Sequence, residues 1–370
     1  MKKLKNIIVV VLAAIFVFGF TAGSILLPDK EISEAERRKL EKFPQITLDS
    51  VLSGKFMTKF ESYTLDQFPL RDGYRGLKSF FVRNVMMQKD NNGYYEYDGY
   101  IIKSSYPYNE ESVSYATGRF ELIYETYLKD TDAKVYLTIV PDKNCFVPEG
   151  YLSMDYTEFT RKVAKDMDYA EYIDIFPLLE LSDYYATDTH WRQEKITDVA
   201  QYVSKNMGVT LNEKYSAHKV EEPFYGVYHG QSALNTVPDE LYYLEADYLE
   251  NCTATDIETN SEFPIYDMEK LRSDNPMVIP DPYEMFLSGP NRAIVVLENP
   301  NASTDKELII FRDSYANAIA PMFLEGYSKV TLIDMRRVMP QFLGQFVEFS
   351  NQDVLFMQST LVLNDSSEIK

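Results

Sequence analysis

The stretch Glu307-Leu308-Ile309-Ile310-Phe311-Arg312-Asp313-Ser314-Tyr315-Ala316-Asn317 joins a short apolar run to a helix-forming segment. Four consecutive apolar side chains between polar residues are typical of a strand that is buried on both faces. Residues 315–324 favour a helix, so the chain must turn sharply at Ser314. Such a turn exposes a side chain at the carboxyl end of a strand, where reactive groups collect in α/β sheets.

Strands and helices alternate on both sides of this turn. Short β-branched or apolar runs predict strands at 133–140, 169–176, 307–311, 329–335 and 354–359. Helical spacing predicts helices at 111–129, 156–167, 196–207, 315–324 and 340–349. Strands separated by helices pair in parallel, so the sequence predicts an α/β fold, a three-layer α/β/α sandwich around a mainly parallel central sheet. Residues 208–302 lack this regularity and are expected to form an irregular insertion of hairpins and loops.

The N-terminus has the composition of a membrane anchor. Three lysines within the first five residues precede an uncharged, mostly apolar segment that ends at Pro28. About 20 apolar residues are enough to cross a bilayer, with the basic side in the cytoplasm. Residues 1–28 are therefore expected to be a single-pass anchor of the cell membrane, with the main domain extracellular. The alternative is a signal peptide cleaved near Thr21-Ala22-Gly23, which would give a secreted protein.

The remaining chain divides into two parts. Residues 29–90 are rich in charge and helical spacing and predict a helical stalk, which Pro69 should interrupt. Residues 91–370 contain the main domain, which begins with a hairpin that turns at Asp98-Gly99. The chain has 57 acidic and 37 basic residues and a formal net charge of −20, so nucleic acid is excluded as a partner. Two cysteines, Cys145 and Cys252, leave both a disulfide and two free thiols open.

A second motif supplies a carboxylate and an imidazole. In Asp188-Thr189-His190-Trp191 the first and third side chains point the same way if the segment is extended. Asp188 would then fix the tautomer of His190, and His190 would activate Ser314, while Trp191 would wall the site and exclude water.

Other interpretations of the two motifs stay open. His190 could be an ordinary loop histidine, and Asp313 or Ser314 could simply cap a helix. Metal binding by Asp188 and His190 with His218 or His229 has no support from their spacing, which fits no known metal motif.

An ordered series of motifs resembles the DHHW protein family of Gram-positive bacteria, which is itself similar to the alginate O-acetylation proteins AlgJ and AlgX. The similarity covers nearly all of the chain after the N-terminal apolar segment. The matching segments are Glu36-Arg37-Arg38-Lys39-Leu40, Phe43-Pro44, Asp66-Gln67-Phe68-Pro69-Leu70-Arg71-Asp72, Pro141-Asp142-Lys143, Asp188-Thr189-His190-Trp191, Phe224-Tyr225-Gly226, Pro238-Asp239, Asp313-Ser314-Tyr315-Ala316-Asn317 and Asp334-Met335-Arg336.

This resemblance implies an SGNH-hydrolase-like domain with Ser314 as nucleophile, His190 as general base and Asp188 as the carboxylate that orients it. It also implies substrate or oxyanion contacts for Arg336 and Asn291. Tyr315 and Trp191 are further candidates for such contacts. No cofactor and no metal are implied.

The expected function is that of an extracytoplasmic O-acetyltransferase or esterase acting on a cell-surface or secreted polysaccharide. A polytopic membrane acyltransferase is implied as the acyl donor. The alternative is a glycan-binding or assembly protein of the cell envelope in which the hydrolase site is vestigial.

Overall fold

The computed structural model describes residues 2–33, 35–234, 236–272, 280–289 and 291–370. The described residues fall into two compact units. The first contains the chain up to Asn92 and a short stretch from His229 to Leu234. The second contains residues 93–228 and most of the chain from Thr236 to Lys370.

The first unit begins with the helix Lys2–Leu26, of which Lys3–Leu26 is long and apolar enough to cross a membrane. The other elements of this unit are the strand pair Ile32–Ser33 and Arg38–Lys39, the helices Leu48–Leu52, Lys55–Asp66 and Arg71–Asn84, and the short strand Asp90–Asn91. Pro69 separates the last two helices, as its lack of an N–H group predicts.

The expected helix at the start of the stalk is wrong, because a two-stranded turn occupies that place. Arg37 has a φ of 50°, which reverses the chain between the two strands. The two terminal guanidinium nitrogens of Arg38 donate to the Asp66 carboxylate at 2.8 and 2.6 Å, and the backbone N–H of Glu41 donates to it at 2.9 Å. A buried carboxylate with three such donors holds this segment more firmly than helix propensity, which is a weak preference.

The second unit is built on an eight-stranded sheet. Its strands, in chain order, are β1 (Lys134–Val140), β2 (Glu171–Tyr172), β3 (Thr253–Asp256), β4 (Ser261–Phe263), β5 (Ile294–Glu298), β6 (Glu307–Arg312), β7 (Lys329–Asp334) and β8 (Asp353–Ser359). In the sheet they lie in the order β4-β3-β5-β7-β6-β8-β1-β2. The five strands from β7 to β2 are parallel, and β5, β3 and β4 extend the sheet by antiparallel pairing.

Both faces of the sheet are covered. On β6, Leu308 and Ile310 belong to one buried cluster, and Ile309 and Phe311 belong to the other. The first cluster includes residues of the helices Thr197–Asn206 and Ala316–Phe323, and the second includes residues of Glu110–Ile123 and Tyr156–Asp166. The predicted three-layer α/β/α sandwich with a mainly parallel sheet is therefore confirmed.

Shorter elements complete the chain. They include the hairpin Tyr94–Tyr97 and Tyr100–Lys103, the π-helix Tyr124–Leu128, the strand pair Ser216–Lys219 and Tyr242–Glu245, the helices Val227–Ser232 and Thr360–Asn364, and several 3-10 helices, of which Pro340–Gln345 is one. Asp98 and Gly99 both have positive φ, as the predicted hairpin turn requires. Cys145 and Cys252 are free thiols.

The segment 208–302 is more than the irregular insertion expected from the sequence. It supplies β3, β4 and β5 to the main sheet. The segment joins the sheet because β5 pairs with β7, and Ile294, Val295 and Leu297 on β5 are buried against the rest of the sheet. Residues 235, 273–279 and 290, which also fall in this segment, lie outside the described residues.

Candidate active site

Ser314 lies in the sharp turn between β6 and the helix Ala316–Phe323. Asp313 holds this turn through its carboxylate, which accepts hydrogen bonds from the backbone N–H of Tyr315 at 3.0 Å and of Ser359 at 2.7 Å. The helix Ala316–Phe323 has no side-chain cap, so neither Asp313 nor Ser314 caps it as the sequence left open. The Ser314 hydroxyl does not cap the helix and is half-buried at the carboxyl edge of the sheet.

The Asp-x-His segment lies in a loop that is closed at its base. Tyr184 pairs with Trp191 in an antiparallel bridge, and the backbone N–H of Tyr185 donates to the carbonyl of His190 at 3.1 Å. Inside this loop the backbone N–H of His190 also donates to Asp188 Oδ1 at 3.1 Å. These contacts fix the two side chains relative to each other.

The two motifs meet through one imidazole. His190 Nδ1 lies 2.6 Å from Asp188 Oδ1, and His190 Nε2 lies 2.8 Å from Ser314 Oγ. An ionised carboxylate can only accept, so it selects the tautomer with hydrogen on Nδ1 and leaves Nε2 free to accept from the serine hydroxyl. This is the geometry in which a serine is activated as a nucleophile.

The other oxygen of Asp188 is held by a second loop. The backbone N–H of Val227 donates to Asp188 Oδ2 at 2.8 Å. The preceding residue, Gly226, approaches so closely that a Cβ there would lie 2.3 Å from the Asp188 Cβ, so only glycine fits. With both oxygens bonded and the residue 1% exposed, the carboxylate is fixed in direction.

An aromatic side chain lies flat on the imidazole. The rings of Tyr283 and His190 are 3.7 Å apart between centroids and 7° from parallel. The Tyr283 hydroxyl also donates to the Ser314 carbonyl at 3.4 Å, so this residue contacts both partners of the central hydrogen bond. Burial raises the pKa of Tyr283 well above its ordinary value, which keeps the ring neutral.

Trp191 and Tyr315 join the histidine loop to the serine turn. The Trp191 indole N–H donates to the Tyr315 carbonyl at 3.0 Å, and the Tyr315 hydroxyl donates to the Thr189 carbonyl at 2.6 Å. Trp191 is fully buried and Tyr315 is 2% exposed. The contacts of these two side chains are therefore internal, and they fix the separation of the two loops.

A buried lysine holds the backbone of the histidine loop by hydrogen bonds. Lys143 Nζ donates to the carbonyls of Tyr185 at 2.9 Å and Ala186 at 3.2 Å, just before the Asp-x-His segment. Burial lowers the pKa of Lys143 to about 7, and the neighbouring carboxylates of Asp188 and Asp239 oppose that shift.

Two other predicted residues make different contacts. Arg336 follows β7, and its guanidinium forms a two-pronged ion pair with Asp334 at 2.9 and 2.7 Å. Asn291 Oδ1 accepts a hydrogen bond from Arg337 at 3.0 Å. Among the described residues, neither side chain forms a hydrogen bond with Ser314, His190 or Asp188.

One of the histidines considered for metal binding has a different partner. His218 Nε2 lies 3.0 Å from Glu245 Oε2. Within the described ranges, no group of three His, Cys, Asp or Glu side chains is arranged to hold a metal ion.

Sequence reasoning missed the contacts made by Tyr283 and Val227. Both lie in the region 208–302, where no periodic pattern marks a position as buried or exposed. The Phe224-Tyr225-Gly226 motif was the available signal for the second loop, because a glycine next to two aromatic residues indicates a close backbone approach.

No family model matches this sequence, and no curated protein matches it either. The fold is similar to that of solved structures. A DHHW family protein from Eubacterium siraeum matches with a TM-score of 0.58 and 22% identity, over 74% of this chain and 93% of that one. Bacillus cereus PatB1 carrying a sulfonyl adduct matches with a TM-score of 0.55 and 16% identity, over 73% of this chain and 95% of that one. The predicted resemblance to DHHW proteins is thus confirmed for the fold.

Proposed function

We propose that this protein is a serine-dependent O-acyltransferase or esterase that acts on a polysaccharide outside the cell. One observation carries the proposal, namely the continuous hydrogen-bonded series Asp188–His190–Ser314 with separations of 2.6 and 2.8 Å. The sharp turn, the closed loop and the aromatic stack hold these groups in place, and Ser314 and His190 remain partly exposed while Asp188 is buried.

The chemistry follows from the direction of each hydrogen bond. Ser314 Oγ attacks the acyl carbonyl carbon of the donor while His190 Nε2 takes the serine proton. The imidazolium that forms keeps its Nδ1–H on Asp188. His190 then gives its proton to the departing alcohol oxygen, which leaves an acyl group on Ser314. In the second half, His190 removes a proton from a sugar hydroxyl or from water, and that oxygen attacks the acyl carbonyl carbon. The bond from this carbon to Ser314 Oγ breaks, and His190 returns the proton to Oγ.

The developing oxyanion needs hydrogen-bond donors near the serine. The backbone N–H of Ser314 has no hydrogen-bond partner among the described residues, and it lies at the start of the helix Ala316–Phe323. The dipole of that helix favours negative charge at its N-terminus. We therefore assign one oxyanion contact to this N–H, in addition to the contacts proposed for Asn291 and Arg336.

The same proposal places the protein at the cell membrane. The helix Lys2–Leu26 packs on later residues of its own unit, since the Phe20 ring stacks on Phe68 at 5.2 Å and lies 5.6 Å from Tyr74. A segment with specific partners in the folded chain supports a retained anchor over a cleaved signal peptide. A polytopic membrane protein that delivers the acyl group belongs to this proposal by analogy with the alginate system only.

Labelling of the serine tests the proposal directly. PatB1, which shares the fold, carries a sulfonyl adduct, so a sulfonyl fluoride is a suitable probe. Purified full-length protein should be modified at Ser314, as located by peptide mass spectrometry, and should release acetate from 4-nitrophenyl acetate. Ser314→Ala should abolish both. Ser288→Ala, which removes another buried hydroxyl that bonds Asp267, should abolish neither.

The assembly-protein alternative makes the opposite prediction. A vestigial site leaves Ser314 unmodified, and Ser314→Ala then releases as much acetate as the parent protein. Transfer is distinguished from hydrolysis by adding an oligosaccharide acceptor, since a transferase moves acetate to the sugar at the expense of free acetate.

A further inference from the structure

The helix Arg71–Asn84 exposes an apolar stripe. Tyr74, Leu77 and Phe81 follow one another at intervals of three and four residues, which puts them on one helix face, and Leu70 lies just before the helix, four residues ahead of Tyr74. Leu70 is 76% exposed, Leu77 is 59% exposed and Phe81 is 50% exposed. Large apolar side chains in a continuous row on a surface mark a binding site for another apolar surface.

The polar face of the same helix points into the protein. Arg71 and Arg75, each 17% exposed, form ion pairs with Glu36 at 2.6 and 3.3 Å. Arg75 also donates to the Gly230 carbonyl at 2.8 Å, and Ser79 is buried. A helix on a water-soluble protein normally buries its apolar face and exposes its polar one. The exposed apolar side chains of this helix are suited to an apolar environment outside the protein.

The stripe is continuous with the N-terminal helix. Tyr74, the second residue of the stripe, lies beside Phe20, and Gly23 faces Pro69 so closely that a Cβ on the glycine would lie 3.1 Å from the proline ring. Phe20 is six residues before the end of its helix at Leu26, which corresponds to about 9 Å along the axis. Interfacial helices sink about 5–10 Å into the boundary between headgroups and acyl chains. The distance of Phe20 from the end of its helix agrees with this insertion depth.

The distribution of charge favours the same environment. Residues 29–92 contain 12 Lys or Arg and 10 Asp or Glu. Residues 93–370 contain 22 Lys or Arg and 47 Asp or Glu. An anionic lipid surface repels the acidic residues 93–370 and does not repel residues 29–92. Residues 29–92, which contain the exposed stripe, can therefore lie at an anionic membrane surface without electrostatic repulsion.

We propose that the apolar stripe Leu70, Tyr74, Leu77 and Phe81 inserts into the outer leaflet of the membrane beside the N-terminal helix. The inference rests on the proposed membrane anchor and goes beyond it, because an anchor alone requires no second contact with lipid. Together the two elements fix the orientation of the first unit at the surface, where a single helix would leave it free to swing.

Fluorescence quenching tests the proposal, since Trp191 is the only native tryptophan and is fully buried. The full-length protein is reconstituted into nanodiscs of phosphatidylglycerol and phosphatidylcholine, with or without bromine on the acyl chains. Three variants each add one tryptophan: Leu77→Trp on the stripe, Asp72→Trp at a side chain 55% exposed on the opposite face, and Phe18→Trp at a position 71% exposed on the N-terminal helix. The parent protein gives the background signal.

The expected result is that brominated lipid removes roughly half of the added fluorescence for Leu77→Trp and Phe18→Trp, and little of it for Asp72→Trp. Quenching of Phe18→Trp without quenching of Leu77→Trp overturns the inference and leaves the anchor intact. Equal quenching of Leu77→Trp and Asp72→Trp overturns the assignment of the face. Absence of quenching for Phe18→Trp refutes both the proposed anchor and the inference. Acetate release, measured in the same samples, tests the proposed enzymatic function separately.

Discussion

Replacing Asp188 by asparagine removes one negative charge beside His190 and keeps the size of the side chain. Asp188 Oδ1 lies 2.6 Å from His190 Nδ1, and Asp188 is 1% exposed. In the proposed reaction the imidazole becomes positively charged only when it takes the serine proton. The carboxylate therefore stabilises the transition state and has little effect on binding of the substrate.

The size of the effect follows from this geometry. The centres of the carboxylate and imidazolium charges are about 4 Å apart, and at an effective dielectric constant of about 20 their attraction is about 4 kcal/mol. Each 1.36 kcal/mol of lost stabilisation lowers a rate tenfold, so Asp188→Asn should lower kcat about a thousandfold. KM should change little, because the lost interaction is made only after the proton moves.

The assay is release of 4-nitrophenol from 4-nitrophenyl acetate by the full-length protein, with kcat and KM measured separately. Asp256→Asn is the matched control, because Asp256 is also buried and pairs with Arg292 at 3.3 Å, away from the histidine loop. A loss of kcat below about tenfold for Asp188→Asn refutes the electrostatic argument. An equal loss for Asp256→Asn shows that burial of the carboxylate, and not its contact with His190, is what matters.

Three further changes test the surroundings of the site. Burial lowers the pKa of Lys143 to about 7, so the folded chain binds fewer protons than the unfolded chain from about pH 7 to 10. The free energy of unfolding should therefore rise with pH over this range, by up to about 1.4 kcal/mol per pH unit. Lys143→Met should flatten that rise, as measured by urea unfolding. Tyr283→Leu should lower kcat by roughly three- to tenfold through loss of the imidazole stack, and Tyr283→Phe should retain most of the rate. Gly226→Ala should lower both the melting temperature and the rate, since its Cβ would meet Asp188, whereas Gly118→Ala has open space and should not destabilise the protein.

The fold was predictable because its strands and helices carry strong local patterns. The apolar run that forms β6 and the helical spacing after Ser314 are both visible in a single sequence. The antiparallel strands β3 and β4 were not predictable in the same way. Thr253–Asp256 and Ser261–Phe263 are short and polar, and they join the sheet because β5 offers a free edge, which is a tertiary effect.

The candidate site was predictable in part for a related reason. Ser314 and the Asp-x-His pair each follow a local pattern, and the structure brings these three side chains together. The residues that hold them, such as Tyr283 and Val227, depend on contacts between segments far apart in the chain. No periodicity marks such contacts, so they appear only in three dimensions.

The position of β8 has a consequence for the order in which this protein matures. This strand, formed by residues 353–359, lies between β6 and β1 in the interior of the sheet. It also supplies the Ser359 N–H that holds Asp313 beneath the serine turn. A chain without residues 353–359 thus has a sheet in two pieces and a serine turn without its support. Synthesis of these residues must therefore precede assembly of the sheet, and a stop codon placed before residue 353 should leave both the sheet and the serine turn incomplete.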